Sequence, residues 1–211
     1  MPNVSKINGF RPVKHSTGAP YNGQANIYAT ATSDATPLFV GDPVALAGDA
    51  DARGIATVTR GAAGAAIVGV VVGIVPTKMD PVGGTMTAGS ISLDTPQYRA
   101  ASTATYVLVA DSPDIVYEVE QTAAGASYTY LTADTGLNAE ANYATGSTTT
   151  GNSACSLNMS TKATTSTLQF KLLGAVNRVD NETVNNSSTA VKVCVQINNA
   201  TLGNGTGATG Q

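Results

Sequence analysis

Residues 106–120 read YVLVADSPDIVYEVE, and this stretch decides the fold. In its first arm Tyr106, Leu108 and Ala110 alternate with Val107 and Val109, so both faces are apolar. In the second arm Ile115, Tyr117 and Val119 share one face while Val116, Glu118 and Glu120 share the other, the period-two pattern of a strand. Ser112-Pro113-Asp114 between them suits a type I turn, because proline presets the backbone angle that the second turn position needs. The stretch predicts a β-hairpin in a protein built from strands.

Working outward, strands are expected at 25–30 and 55–59, with 38–46 (LFVGDPVAL) as strand, tight turn at Gly41-Asp42-Pro43, and strand. Residues 48–54 read as a loop and 61–66 (GAAGAA) as a lead into 67–75, whose β-branched run marks the central strand. A long loop is expected at 78–93. The polar stretch 121–150 follows, with one helical turn expected within 134–142. Strands at 167–173 and 190–197 complete the set. Roughly eight to ten short strands separated by turn signals predict an all-β fold, a sandwich or barrel (jelly-roll-like) of short antiparallel strands. The expected organisation is an extended N-terminal arm over 1–25, one β domain over 26–200 and a frayed tail over 201–211. No heptads and no internal repeat of fixed period occur.

The 211 residues are enough to bury a core without staples. Charged residues are 12% and aromatics 5%, with no tryptophan, so the exterior must be mostly Thr, Ser, Asn, Gln and Gly. Such a surface is common in assembled or environment-exposed proteins. Eleven Lys and Arg are scattered along the chain at a net charge of −3, which argues against direct nucleic-acid binding. No apolar leader follows Met1, and the run at 65–76 is too short to cross a bilayer as a helix, which takes about 20 residues. The expectation is a soluble protein made in the cytoplasm, with no membrane partner.

Little in the chain suggests catalysis. His15 is the only histidine, it lies in a stretch of breakers, and no Gly-x-Ser-x-Gly elbow exists. One His and two Cys cannot make a zinc site of several such ligands. Residues 49–54 (DADARG) begin like a calcium loop, but Arg53 stands at the third ligand position and Arg60 at the twelfth. Asp111 and Asp114 read as turn residues, and 61–66 lacks the ending of a phosphate-binding loop. No catalytic residue, cofactor or metal is expected. Cys155 and Cys194 could pair, although two distant thiols in a chain without an export leader more often stay free. Cys194 falls opposite the apolar face of Val191, Val193, Val195 and Ile197, and so should be partly exposed or face a neighbouring subunit.

Residues 8–23 (NGFRPVKHSTGAPYNG) hold three glycines and two prolines, too many breakers to fold alone. Phe10, Pro12, Val13, Pro20 and Tyr21 would be costly to leave in water, so the arm should lie on something.

Residues 8–24 followed by 38–46, then GVVVGIVP (69–76), residues 98–121 and TGLNAE (135–140), resemble in the same order the capsid decoration or cement proteins of tailed bacteriophages. These are small virion proteins encoded beside the major capsid protein. The resemblance covers residues 6–140 well and the C-terminal third loosely. The Thr- and Gly-rich stretch 144–166 departs from it and is expected as an outer loop.

The resemblance implies a structural virion protein, not an enzyme. It would bind the outer capsid surface and stabilise contacts between subunits of the major capsid protein. The arm residues Phe10, Arg11, Pro12, Val13, Tyr21 and Asn22 would make the contact. Self-association is also expected, as a homotrimer before a dimer, because 67–75 and 106–110 are apolar on both faces. The alternative is a head fibre or adhesin-type module that binds host-surface glycan or envelope.

Overall fold

The computed structural model describes residues 3–75, 96–122, 130, 132–181, 190–202 and 209–210. The fold is all-β. Its first six strands are β1 (Arg11–His15), β2 (Asn26–Thr30), β3 (Pro43–Ala50), β4 (Ala56–Arg60), β5 (Gly69–Ile74) and β6 (Thr105–Ala110). The other five are β7 (Ile115–Thr122), β8 (Asn138–Asn142), β9 (Ser156–Ala163), β10 (Phe170–Ala175) and β11 (Lys192–Ile197). One 3-10 turn, Thr132–Asp134, interrupts them.

The strands form two closed rings. Ring one is a barrel in the order β2-β4-β3-β5-β6. Ring two is the sheet β7-β11-β10-β8-β9, which the pairing of β9 with the end of β7 returns on itself, and β1 is added to the start of β7. The two rings have the same connectivity. In each, the first strand runs parallel to the third, and the third is antiparallel to the second. The second is antiparallel to the fourth, the fourth to the fifth and the fifth to the first. Five strands cannot alternate direction all round a ring, so one parallel pair is required, and both rings place it identically. No fixed-period repeat shows in the sequence because the repeat lies in the order of pairing, which residues of different size can satisfy.

The expected hairpin at 106–120 is corrected. Both strands and the turn exist, with Ile115 N donating to Ser112 O at 3.2 Å. The arms do not pair with each other: β6 lies between β2 and β5, whereas β7 lies among β1, β9 and β11. The turn is the corner between the rings. Asp111 anchors it to ring one, accepting from Asn26 Nδ2 and from the Tyr28 hydroxyl at 2.8 Å. Across the corner, the Tyr117 hydroxyl donates to Ala110 O at 2.8 Å. Turn chemistry fixes a reversal of direction; it does not choose the strand's neighbours.

Double-faced apolar strands follow from the two rings. Val71, Val107 and Val109 point into ring one with Tyr28, Val44, Val58 and Val68. Val70 and Ala110 point the other way and join Ile67, Tyr117, Leu157 and Phe170 in the core of ring two. Much of the apolar content of these two stretches is thus packed within one chain, while Val72, Ile74, Val75 and Leu108 stay partly exposed.

Four further expectations are corrected. The 144–166 stretch is not an outer loop: it contains the whole of β9, with Leu157 and Met159 fully buried. The helical turn is Thr132–Asp134, which meets the expected 134–142 only at Asp134, and Asn138–Asn142 is a buried strand, despite asparagine's poor strand propensity. The loop at 48–54 starts late, because β3 runs to Ala50. Residues 38–42 make only the isolated bridges Leu38–Arg99 and Val40–Asn152. The 78–93 loop and most of the 201–211 tail lie outside the described residues. Both cysteines are free, Cys155 buried and Cys194 partly exposed on the outer face of β11.

Candidate binding surface

The N-terminal segment lies on its own protein. Arg11–His15 pairs antiparallel with the start of β7, with Arg11 opposite Glu118 and His15 opposite Ile115. Phe10 is 1% exposed and stacks on Phe170 with ring centroids 4.4 Å apart. Its amide donates to Gly41 O at 2.9 Å. Glycine is needed at both sides of this approach. A Cβ on Gly9 (φ 71°) would sit 2.6 Å from Gly41 O, and Gly41 has φ 100°. Further upstream, the buried Glu120 carboxylate accepts from the Ser5 hydroxyl at 2.6 Å and from Lys6 N at 2.7 Å. Arm and β domain are therefore one packed unit, and Phe10 belongs to the core.

The six arm residues separate into two groups. Phe10, Arg11, Pro12 and Tyr21 line one groove of about 270 Å³ at the junction of the rings, together with Val40, Val71 and Val72. Val13, 44% exposed, and Asn22, also exposed, are not on its lining. Through Asn8, Arg11 and Asn152 the groove continues into a wide polar depression of about 640 Å³. Lys6, Arg178 and Lys192 bring positive charge to that depression, and Glu118 and Asp180 negative charge. Charges scattered in sequence thus meet in space. Arg178 grips Glu118 through both terminal nitrogens, at 3.1 and 2.8 Å, and Asp180 through Nε at 3.2 Å. At this exposure the ion pairs orient side chains and add at most about 1 kcal/mol.

A buried polar seam joins the rings. Gln169, fully buried, donates to Ala62 O and Ala65 O at 2.7 and 3.0 Å. Its oxygen accepts from Ala141 N and the Tyr143 hydroxyl, each at 3.1 Å. Glu140 accepts from Gly64 N at 2.9 Å, so the 61–66 loop of ring one is clipped to ring two twice. Burial raises the Glu140 carboxyl above its ordinary value against that bond. Asp42, fully buried, accepts from Phe39 N at 2.9 Å and from the Cys155 thiol at 3.3 Å. Burial raises the Asp42 carboxyl too, against hydrogen bonds from Ser153, Phe39 and Cys155. Burial, then the Asp42 charge, pushes the Cys155 thiol up to about 12. It stays protonated at neutral pH and acts as a donor, not a nucleophile.

Other residues weighed for chemistry have local roles. His15 ends β1 with its ring 6.3 Å from that of Tyr21. Asp51 closes its turn by accepting from Arg53 N and Ile55 N at 2.9 and 2.8 Å. Among the described residues no three His, Cys, Asp or Glu converge as metal ligands. Gln169, Glu140 and Arg99 were not singled out by sequence. Arg99 is 1% exposed, and its guanidinium donates to the carbonyls of Ala31, Asp34, Thr36 and Thr103 at 2.6–2.9 Å. A polar residue inside an otherwise ordinary segment gives no signal of such partners.

The fold and this surface define an all-β protein of two tandem five-stranded rings with a mixed apolar and charged groove at their junction. No family model, curated protein or solved structure matches the chain.

Proposed function

We propose that the protein decorates the outer surface of a tailed-phage capsid and stabilises contacts between subunits of the major capsid protein. One observation carries the reading: four of the six arm residues expected to touch the shell, Phe10, Arg11, Pro12 and Tyr21, line a single groove. Phe10 supports that groove from below. Pro12, Tyr21 and Val72 offer it partly exposed apolar surface. Burying such surface contributes about 25 cal/mol per Å², less the freedom lost on docking, and repetition over a symmetric shell adds avidity. A copy that binds only the assembled shell favours that state by mass action. The charged depression beside the groove would fix orientation.

The test adds purified protein to undecorated, genome-filled capsids. The wild type should bind in fixed ratio to the major capsid protein and raise the temperature at which particles rupture. Tyr21→Glu and Val72→Asp should lose decoration while the free protein keeps its β spectrum. Undiminished decoration by both variants would remove the groove from the interface. Failure of the wild type to bind would move the reading to a fibre or adhesin module for host-surface glycan.

A further inference from the structure

Residues of β1, β7 and β11 line up across the sheet of ring two. Arg11 stands opposite Glu118 and Lys192 opposite Glu120. Glu118 and Glu120 are two positions apart on β7, so all four side chains share one face, and that face lines the polar depression. The carboxylates here are already engaged. Arg178 holds both oxygens of Glu118 and one of Asp180. Glu120, 5% exposed, accepts from the Ser5 hydroxyl and from Lys6 N. The cations are not engaged. The ammonium groups of Lys6 and Lys192 and the guanidinium of Arg11 make no ion pair and no hydrogen bond with the described residues. The depression therefore offers a ligand positive charge and donors that nothing in the described chain answers.

We propose that groove and depression together take an extended segment of the partner protein that carries an apolar side chain followed by two carboxylates. The inference rests on the decoration reading, which makes a subunit of the major capsid protein the bearer of that segment. The apolar side chain would enter between Pro12, Tyr21 and Val72. Arg11, which lines both hollows, would meet the first carboxylate, and Lys192 with Lys6 the second. Two strand spacings and a two-residue offset put Arg11 and Lys192 about 12 Å apart, a span that about three or four residues of extended chain cover. A continuous polyanion such as nucleic acid fits less well. It would drive phosphates past Glu118 and Asp180 and over an apolar groove, on a chain whose net charge is −3. Spaced carboxylates with an apolar neighbour match both parts of the lining.

Decoration of genome-filled capsids tests this, with a peptide on the free protein as the second arm. Arg11→Gln and Lys192→Gln should each weaken decoration about fivefold, and Lys192→Arg should keep the wild-type affinity. Lys171→Gln removes a ring-two cation outside the depression and should change nothing. Raising salt from about 0.05 to about 0.5 M should weaken the wild type and affect the double Gln variant far less. Where the wild type decorates, unchanged affinity in both Gln variants, or a wild type indifferent to salt, overturns the inference and leaves the decoration reading standing. Should the Gln variants misfold, the wild-type salt dependence decides. Where the wild type does not decorate, the decoration reading falls and the peptide decides. A Gly/Ser peptide with Leu, then Asp, then a second Asp about three or four residues on should shift the amide resonances of Arg11, Val72 and Lys192, and its Asn analogue should not. Absence of those shifts, or shifts from single-stranded DNA and not from the peptide, would overturn the inference.

Discussion

Ring one and ring two thread five strands in the same order, yet they fill and close themselves differently. Ring one packs its interior with valines at 44, 58, 68, 71, 107 and 109, a lining of compact β-branched side chains around Tyr28. Ring two holds larger residues, including Tyr117, Met159, Phe170 and Leu172, and takes in Phe10 from outside the ring. Its closure is also firmer: two residue pairs join β7 to β9, whereas a single pair joins β2 to β4. Connectivity fixes which strands meet; side-chain volume decides what else the ring must recruit. Recruitment of Phe10 by ring two draws β1 onto β7 and places the groove at the junction.

The largest effects should come from removing what each ring depends on. Phe10→Ala empties a fully buried site and should cost about 3–5 kcal/mol in denaturant unfolding. Hydrogen exchange should then rise first in β1, β7 and β11. Arg99→Met leaves the carbonyls at Ala31, Asp34, Thr36 and Thr103 without their donor, as well as the Asp34 carboxylate 3.4 Å away. It should cost about 3 kcal/mol, with exchange rising first in ring one. If either substitution opens both rings together, they are a single cooperative unit and the comparison holds for packing alone.

A smaller effect, of opposite sign, is expected inside ring two. Gln121 is fully buried, and neither its Nε2 nor its Oε1 has a hydrogen-bond partner. In ring one the polar residue near the end of the first strand, Thr30, is satisfied: its hydroxyl bonds Thr105 O at 3.1 Å. Gln121→Met keeps the volume and removes the unpaired amide, so it should stabilise the protein by about 1 kcal/mol. Destabilisation would show that the amide is satisfied by ordered water.

The smallest effect concerns pH and the seam between the rings. Burial raises Asp42 above 3.8 and Glu140 above 4.5. Between the unfolded and the raised native pKa the native state binds more protons. The contribution of these groups to stability is therefore greatest below that window and falls as pH rises through it. Asp42→Asn should flatten this slope, seen in unfolding free energies measured from about pH 4 to neutrality. An unchanged slope would mean that Asp42 titrates alike in both states.

Much of the fold was legible because period-two alternation is a local property. Residues 25–30, 55–59, 67–75, 106–110, 115–120 and 190–197 showed their strands, and the inward face of β11 was readable down to the partial exposure of Cys194. Residues 138–142 and 156–163 did not, since Asn, Ser and Thr side chains mask a strand whose support comes from neighbours far along the chain. The site was half legible: an apolar residue among breakers needs something to lie on, which marked Phe10, Pro12 and Tyr21.

By itself the sequence determined that the chain is all-β, where most strands lie, that the chain reverses at 111–114, and that the N-terminal segment must dock. Tertiary structure alone decided that the reversal separates two rings, that both rings share one order of pairing, and that Phe10 docks in its own chain. It also brought together Lys6, Arg11, Arg178 and Lys192, which are remote in sequence. The physical reason is that alternation and turn chemistry act over a few residues and specify faces and reversals. Strand partners are chosen by closure, by the volume each interior must fill and by hydrogen bonds such as those of Asp111 and Gln169, all of which join residues far apart in the chain.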